Sequence, residues 1–396
     1  MVNLASVDKC TGCRACVNSC VHGALTMTED KDGFLMPVVN NDKCVECHLC
    51  EKVCPIVSPS ENKNMERPKA YAMWSLQDRT KSSSGGAFSA YARMILKNGG
   101  VVFGAAFDRD MRLRHIGVET IEELDDLRGS KYVQSDVNAC FGNIKSLLKD
   151  GRSVLFCGTP CQVAGLKSFL RKDYDNLLTL DLVCHGVPSV AVFKAYLKKL
   201  STRFAGKGKI DGFEFRRRNS WGKAPTVSLS SKLTKIYGGD NAYMVAFDKS
   251  AIFRNSCYSC PFAKLPRVGD CTIADFWGIG RHGAPFRHDV QKGVSLVMVN
   301  NDKGHSFTDK LEDVFIEERD LDEALIENHN ITHPSLAHPK RNDIIASFLD
   351  EDMDLDVICK RYHLTDRSIK GVVKELADRL HVFDGVKFIY NKIRTL

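Results

Sequence analysis

Cys10, Cys13, Cys16 and Cys20 form a C-x2-C-x2-C-x3-C run, and Cys44, Cys47, Cys50 and Cys54, followed by Pro55, repeat it. Nothing else in the chain restricts its fold so strongly. Two-residue gaps let one tight loop reach three corners of an iron-sulfur cubane before a short helix supplies another thiolate. Zinc asks only for four tetrahedral thiolates, usually as two separated C-x2-C pairs, so the third cysteine of each run has no zinc rationale. In runs of this kind the fourth cysteine crosses to the other cluster. Cys54 is therefore expected to join Cys10, Cys13 and Cys16, and Cys20 to join Cys44, Cys47 and Cys50. Val21 stands where the second run has proline, which changes a loop without removing a ligand.

This is the signature of a bacterial-type two-cluster ferredoxin segment, and it sets the expectations for the rest. With 396 residues and 43% hydrophobic content, the chain can bury a large core in two or three domains. No apolar stretch approaches a membrane span, and the first cysteine run begins too soon after Met1 to leave room for a signal peptide. The expectation is a reducing cytoplasmic setting in an anaerobe, with the sixteen cysteines serving as metal thiolates or buried apolar groups, not disulfides. Lys and Arg at 56 against Asp and Glu at 49 give a net charge of +7. So mild an excess fits docking of an acidic redox partner, whether a ferredoxin, a flavodoxin or a subunit of another oxidoreductase, better than nucleic acid.

The fold expected is α+β: a ferredoxin-like domain over 1–57, a linker over 58–68, a mixed α/β core over 69–335 and a helical C-terminal extension over 336–396. Strand-like runs at Ala70–Ser75, Gly100–Phe107, Ser153–Phe156, Leu177–Val183 and Thr272–Phe276 alternate with helical patterns at Ala87–Lys97, Val137–Leu148, Gln162–Leu170 and Val190–Leu200. Over Leu355–Leu380, Ile358, Tyr362, Leu364, Ile369, Val373 and Leu376 fall at helix-turn-helix spacing. Without basic-aromatic patterning, that stretch reads as a helical appendage rather than a DNA reader.

Four more cysteines lie in loop-like sequence: Cys161 in Gly158-Thr159-Pro160-Cys161, Cys184 in Cys184-His185-Gly186, and Cys257 and Cys260 in Cys-Tyr-Ser-Cys-Pro. Cys257 and Cys260 alone suit a zinc half-site, a redox pair or coincidence. Cys140, Cys157, Cys271 and Cys359 read as small buried hydrophobes. Together with Ser84-Gly85-Gly86-Ala87-Phe88, Gly129-Ser130-Lys131-Tyr132-Val133 and Gly269-Asp270 to Trp277-Gly278, these segments make residues 1 to about 340 resemble the family of coenzyme F420 hydrogenase/dehydrogenase beta subunits, with a two-cluster ferredoxin domain in front.

The resemblance implies that Cys161, Cys184, Cys257 and Cys260 hold a third [4Fe-4S] cluster beside FAD. It further implies that the flavin is held by Ser84, Gly85 and Gly86 and by Gly129, Ser130, Lys131 and Tyr132. No G-x-G-x-x-G or Walker lysine motif offers another nucleotide site. Read by residue type alone, Ser82–Gly86 suits either a phosphate cradle at a helix N-terminus or an ordinary serine-capped helix. Candidate catalytic groups are Lys131, His185 and Asp275, with Asp270 and the run Arg216-Arg217-Arg218 near Trp221 as further polar groups for an anionic organic substrate. The implied function is electron passage between the clusters and FAD with hydride transfer to or from that substrate. The alternative is an electron-transfer subunit that feeds a partner enzyme.

Overall fold

The computed structural model describes residues 2–216, 218, 221 and 225–365. Arg217 and the residues of the expected helix-turn-helix beyond Thr365, including Ile369, Val373 and Leu376, lie outside the described residues.

The cysteine-rich segment comprises α1 (Ala15–Ser19), a hairpin of β1 (Leu25–Glu29) and β2 (Leu35–Val39), and α2 (Leu49–Lys52). Each helix is reached through a left-handed residue, Arg14 at φ 61° and His48 at φ 55°. That reversal folds each cysteine loop back onto its helix. At the hairpin turn, Asp30 Oδ1 accepts from the amides of Asp32 and Phe34, both at 2.9 Å. Gly33 at φ 76° lies so close to Ala191 that a Cβ would sit 2.2 Å from its methyl carbon, so only glycine fits.

The core runs β3 (Lys69–Ser75), α3 (Ala87–Lys97), β4 (Val101–Phe107), β5 (Leu113–Val118), α4 (Leu124–Leu127), α5 (Cys140–Lys149), β6 (Val154–Gly158), α6 (Pro160–Leu170), β7 (Leu177–Leu182) and α7 (Val190–Arg203). A small antiparallel sheet of β8 (Ile210–Glu214), β9 (Thr226–Leu229) and β10 (Lys232–Lys235) follows, then α8 (Ala242–Asp248). The chain returns through β11 (Cys271–Asp275), β12 (Ser295–Val299), α9 (Asp302–Thr308), β13 (Val314–Arg319) and α10 (Leu321–Glu327), and continues into α11 (Arg341–Leu349) and α12 (Leu355–Tyr362).

Eight strands form one sheet in the order β13-β3-β12-β11-β7-β6-β4-β5. The central neighbours β11, β7, β6 and β4 are parallel, and the flanking pairs are antiparallel. Parallel strands covered on both faces read as nearly continuous apolar runs, as Val101–Phe107 and Leu177–Leu182 do. Val102, Leu155 and Leu178 pack with α3 on one face, while Val101, Phe103, Phe156 and Leu177 pack with α5 and α6 on the other. The antiparallel additions β5, β12 and β13 were not anticipated from the sequence. Their strands are joined by loops and α9 rather than by the crossover helices that make parallel strands legible.

The cysteine-rich segment packs into the core. Cys13, Ala15 and Val53 join the apolar cluster under α5 and α6, and Phe34 joins a second one built by α7, α8, β8 and β9. Ile344, Phe348, Leu355 and Ile358 belong to that same cluster, so the described part of the C-terminal extension lies on the core. Arg341 reaches Asp32 at 2.8 Å across this junction. In the expected linker, Asn64 Nδ2 donates to the carbonyls of Arg267 and Gly269 at 2.7 and 2.9 Å, which pins the chain before β3.

Candidate cluster and cofactor site

All sixteen cysteines are free thiols. Among the described residues, no three His, Cys, Asp or Glu side chains close around a single-ion position. Several of the thiols nevertheless lie in one another's electrostatic field. Burial raises the pKa of Cys10, while the Arg254 guanidinium pulls it back and the neighbouring Cys54 raises it further. Burial pushes Cys16 up to about 12, with Cys10 and Cys54 adding to the rise. Cys10, Cys16 and Cys54 thus share one electrostatic site, joined by Cys13, which feels Cys16, Cys10 and Cys161.

Cys161, Cys184, Cys257 and Cys260 also converge, and the sequence shows how. Thr159 and Gln162 form a capping box with Pro160 in the first turn of α6, which presents Cys161 there with Thr159 Oγ1 3.1 Å from its sulfur. Cys184 follows the end of the parallel strand β7. Pro188 bridges Phe253, and the Arg254 amide donates to the Val187 carbonyl at 3.0 Å, bringing the Cys184 loop onto the Cys257 loop. Gly186, with φ 138°, lies flat on the Phe253 ring, where a Cβ would be 2.3 Å away. Burial lifts Cys161 to about 11 and Cys257 to about 12, and Cys260 raises both further. Cys184 is raised well above its ordinary value by burial and by Cys257, Cys161 and Cys260. Each thiol lies in the field of the others, and ligation of a metal centre would require their deprotonation.

The two groups are adjacent. Cys13 packs against Gly165 of α6, where a Cβ would fall 3.0 Å from both its Cβ and its sulfur. Only a glycine lets the loop approach the helix that carries Cys161.

A cavity of about 400 Å³ opens beside Cys161 and Cys184, at the carboxyl end of the parallel strands. Ligands bind outside that edge in open α/β sheets. Its wall includes Ser84 and Gly86, Gly129 to Tyr132, His185, Asp275 and Trp277. Gly85 lies behind the wall, pressed on the sheet where a Cβ would be 2.2 Å from the Met73 carbonyl oxygen. The two wall segments meet at Ser83 and Ser130, whose hydroxyls are 3.0 Å apart. Beneath them, fully buried Asp78 accepts from Arg93 and Arg128 at 2.9 and 2.7 Å. The N-terminus of α3 begins in the wall after left-handed Gly86, which has no side chain to cap it, and the Ala87 amide donates to Ser295 Oγ at 3.4 Å.

The remaining candidates are held as follows. Lys131 Nζ donates to the carbonyls of Leu127, Arg128 and Gly129 at 2.8–3.3 Å, and burial lowers its pKa to about 7. Asp275 accepts from Arg216 and from Trp221 Nε1, the latter at 2.8 Å, and Trp221 stacks on Trp277 with centroids 5.0 Å apart. Arg216 is thereby buried against a carboxylate partner. Asp270 faces away from the cavity. Burial alone would push its carboxyl up, but Lys167, Lys303, Asn301 and Thr179 hold it below the ordinary range. Cys140, Cys271 and Cys359 are buried as expected, whereas Cys157 lines the cavity.

One cavity residue escaped sequence reading. His115 is buried between Ser135 and the Cys157 carbonyl, at 2.8 and 3.0 Å, and burial lowers its pKa to about 4. Because a carbonyl only accepts, Nε2 carries the proton and Nδ1 accepts from Ser135. No local motif marks such a histidine on a strand.

Similarity to known proteins bears on both the cysteine-rich segment and the core. Residues 9–57 match the 4Fe-4S dicluster domain, and residues 151–324 match the family described by the C terminus of the coenzyme F420 hydrogenase/dehydrogenase beta subunit. Over residues 151–324 the chain is thus similar to that family of beta subunits, with the match to the dicluster domain preceding it. It is 27% identical over 312 residues to the coenzyme F420-dependent sulfite reductase of Methanocaldococcus jannaschii, covering 76% of this chain and 46% of that protein. It is 23% identical over 189 residues to the F subunit of the F(420)H(2) dehydrogenase of Methanosarcina mazei, covering 45% of this chain and 53% of that one. The chain thus spans about half the length of these relatives. A chain of the xenon-derivatised F420-reducing [NiFe] hydrogenase complex from Methanosarcina barkeri matches with a TM-score of 0.43 and 15% identity, over 76% of this chain and 94% of that one. Among the described residues, no helix is long and apolar enough to cross a membrane.

Proposed function

We propose that the chain is an iron-sulfur flavoprotein oxidoreductase whose cavity takes FAD and whose Cys161, Cys184, Cys257 and Cys260 hold a third [4Fe-4S] cluster. The observation that carries this reading is convergence. Ser82, Ser83, Ser84 and Gly86, and Gly129–Tyr132, far apart in sequence, wall one cavity together with Cys161 and Cys184. The donor set fits both groups: four crowded thiols on one side, and hydroxyls with an eleven-residue helix entered through a glycine on the other. When bound, FAD would supply two-electron hydride chemistry and the clusters single-electron transfer.

The chain's own residues bind and orient. The N-terminus of α3 suits a pyrophosphate, and the Ser83–Ser130 pair can turn a hydroxyl toward it. The Asp78–Arg128 pair fixes the two wall segments against each other. Lys131 can hold or release a proton at Nζ near neutral pH, while His115 stays neutral and keeps the inner wall dry of charge. Exposed Cys47 suits the cluster of Cys20, Cys44, Cys47 and Cys50 to exchange electrons with a soluble partner. Contact of Cys13 with Gly165 suits the cluster of Cys10, Cys13, Cys16 and Cys54 to sit next to the core thiols.

Iron, sulfide and flavin content of anaerobically purified protein tests the reading. About twelve irons with one FAD support it, and about eight irons without flavin defeat it. A second reading, an electron-transfer subunit serving a partner enzyme, is favoured by the match to one component of a dehydrogenase of several subunits. It predicts that dithionite reduces the bound flavin but that reduced coenzyme F420, sulfite and other small substrates leave its redox state unchanged in the isolated chain. A reducing cytoplasmic setting accords with the free thiols.

A further inference from the structure

Among the described residues, five arginines are buried: Arg128, Arg216, Arg254, Arg267 and Arg341. Four of them pair with a carboxylate: Arg128 with Asp78, Arg216 with Asp275, Arg267 with Asp181 and Arg341 with Asp32. Arg254, 2% exposed, has no carboxylate partner among the described residues. Its fork donates only to neutral acceptors: the Cys10 carbonyl and Met36 Sδ at 3.0 Å, the Leu35 carbonyl at 2.7 Å and Gln134 Oε1 at 3.1 Å. A permanently charged guanidinium in such a place is costly unless an anion stands nearby.

What stands nearby is cysteine. Arg254 Nη1 donates to the carbonyl of Cys10 in one thiol group, and Arg254 stands one turn before Cys257 of the other. Its main chain belongs to the core loop, since the Cys257 amide donates to the Arg254 carbonyl at 2.9 Å. Its side chain reaches past Gly12, where a Cβ would be 2.8 Å from Nη2, to the loop carrying Cys10. Four thiolates outweigh the positive charge of a cubane in either oxidation state. A cluster in each thiol group therefore supplies the missing counter-charge on both sides of Arg254.

We propose that Arg254 is a positioning residue that fastens the dicluster domain to the Cys257 loop and, as their shared counter-ion, raises the reduction potentials of the Cys10-Cys13-Cys16-Cys54 cluster and the core cluster. The core half of this proposal rests on the third-cluster reading above. An added electron makes a cluster more negative, so a neighbouring cation favours the reduced form. Net charge and hydrogen bonding are established determinants of such potentials. The electron transferred between the two clusters leaves one and arrives at the other, with Arg254 in the field of both and consumed by neither.

The test is an anaerobic redox titration of the holoprotein, followed by electron paramagnetic resonance of the reduced clusters and by iron content, in wild type, R254M and R254K. In R254M both neighbouring clusters are expected to lose at least tenfold in their one-electron reduction equilibrium, a fall of about 59 mV. The cluster of Cys20, Cys44, Cys47 and Cys50 is expected to hold its potential. R254K keeps the charge and is expected to recover most of the shift, which a purely structural role would not produce. If R254M fails to retain iron, the R254K titration decides: potentials near wild type support the proposal, and a fall as large as tenfold overturns it. Twelve irons with no shift in R254M overturn the role of Arg254 and leave the cluster reading intact. Eight irons in wild type, with the Cys10-side potential still falling in R254M, overturn the core-cluster reading and support Arg254 acting on the remaining neighbour.

Discussion

Two helical glycines allow the packing of the dicluster domain to be tested by opposite responses to one substitution. Gly142 in α5 is exposed with nothing within 4 Å of an added Cβ, whereas a Cβ on Gly165 in α6 would lie 3.0 Å from both Cβ and Sγ of Cys13. In an open helix interior, glycine to alanine stabilises by roughly 0.5–1 kcal/mol through backbone entropy. G142A is expected to show that gain. G165A has the same entropic gain, but its methyl is held well inside the ~3.5–4.0 Å of an ordinary carbon contact. Overpacking of a dense interior costs about 1–3 kcal/mol, so G165A is expected to range from neutral to about 2 kcal/mol destabilising. The atom that must give way is a cluster ligand, not a loose side-chain end. Metal-bound proteins depart from two-state unfolding, so the measurement is the order of apparent Tm values in anaerobic thermal scans, with visible absorbance recorded alongside. At this chain length one kcal/mol corresponds to about 2 °C. G142A should melt above wild type and G165A at or below it, with bleaching of the absorbance in step. If G165A rises as far as G142A, the contact between Cys13 and α6 does not constrain the helix, and the argument for adjacent thiol groups loses its steric basis.

C13A and C54A are each expected to remove the same roughly four irons, with no further loss in the double variant; additive loss would show that Cys54 does not belong to the Cys10 set. R128M leaves fully buried Asp78 with one of its two guanidinium partners, and breaking such a buried pair costs about 3–5 kcal/mol. A thermal scan in which R128M matches wild type would deny that this pair holds the cavity wall. His115 has a folded pKa lowered to about 4 by burial, so between that value and its ordinary 6.5 the unfolded chain binds more protons. Its contribution to stability is therefore complete above pH 6.5 and lost as pH falls toward 4. H115Q should flatten that part of the stability-pH curve, and an unchanged slope would assign the acid sensitivity elsewhere.

The ligand chemistry was legible because it is local. Cys10 to Cys20 and Cys44 to Cys54 carry their geometry in their spacing, and the runs at Val101–Phe107 and Leu177–Leu182 announce buried parallel strands by being apolar throughout. Side-chain commitments were not legible. Asp275 stood out in sequence only as a candidate catalytic acid; its bonds with Arg216 and Trp221, from a part of the chain more than fifty residues earlier, could not be read there. Asp270 read as a substrate-side group, yet it ties β7 to α9 through Thr179 and Asn301. His115 and Arg254 were missed for the opposite reason: each is surrounded by residues distant in sequence, and neither lies in a repeated pattern. Charge pairing is a property of the packed chain, so reading residues in sequence order cannot assign it.

That same pairing narrows what the cavity can recognise. Arg216 is engaged by Asp275, Arg128 by Asp78, and Lys131 by three carbonyls of its own turn, so the cationic side chains of the wall already have partners. The recognition capacity left for an anionic group is the backbone at the start of α3 and the Ser83–Ser130 hydroxyl pair, both of which suit phosphate oxygens approaching a glycine turn. Trp277, stacked on Trp221, adds an aromatic face to a wall that also carries Phe88, Tyr132 and Phe247, which suits a planar ring as well as a phosphate. A ligand with both parts explains why glycine stands at Gly86 and Gly129, both at positive φ, one at the edge of a tight wall and the other facing open space. A compact anion lacking a planar part would leave the aromatic face unoccupied. An anion held by side-chain charge would require the Asp275–Arg216 pair to open, at the cost of exposing a buried guanidinium. On the proposed reading, a nucleotide-like cofactor is the resident of this cavity, and substrate recognition falls to whatever that cofactor leaves uncovered.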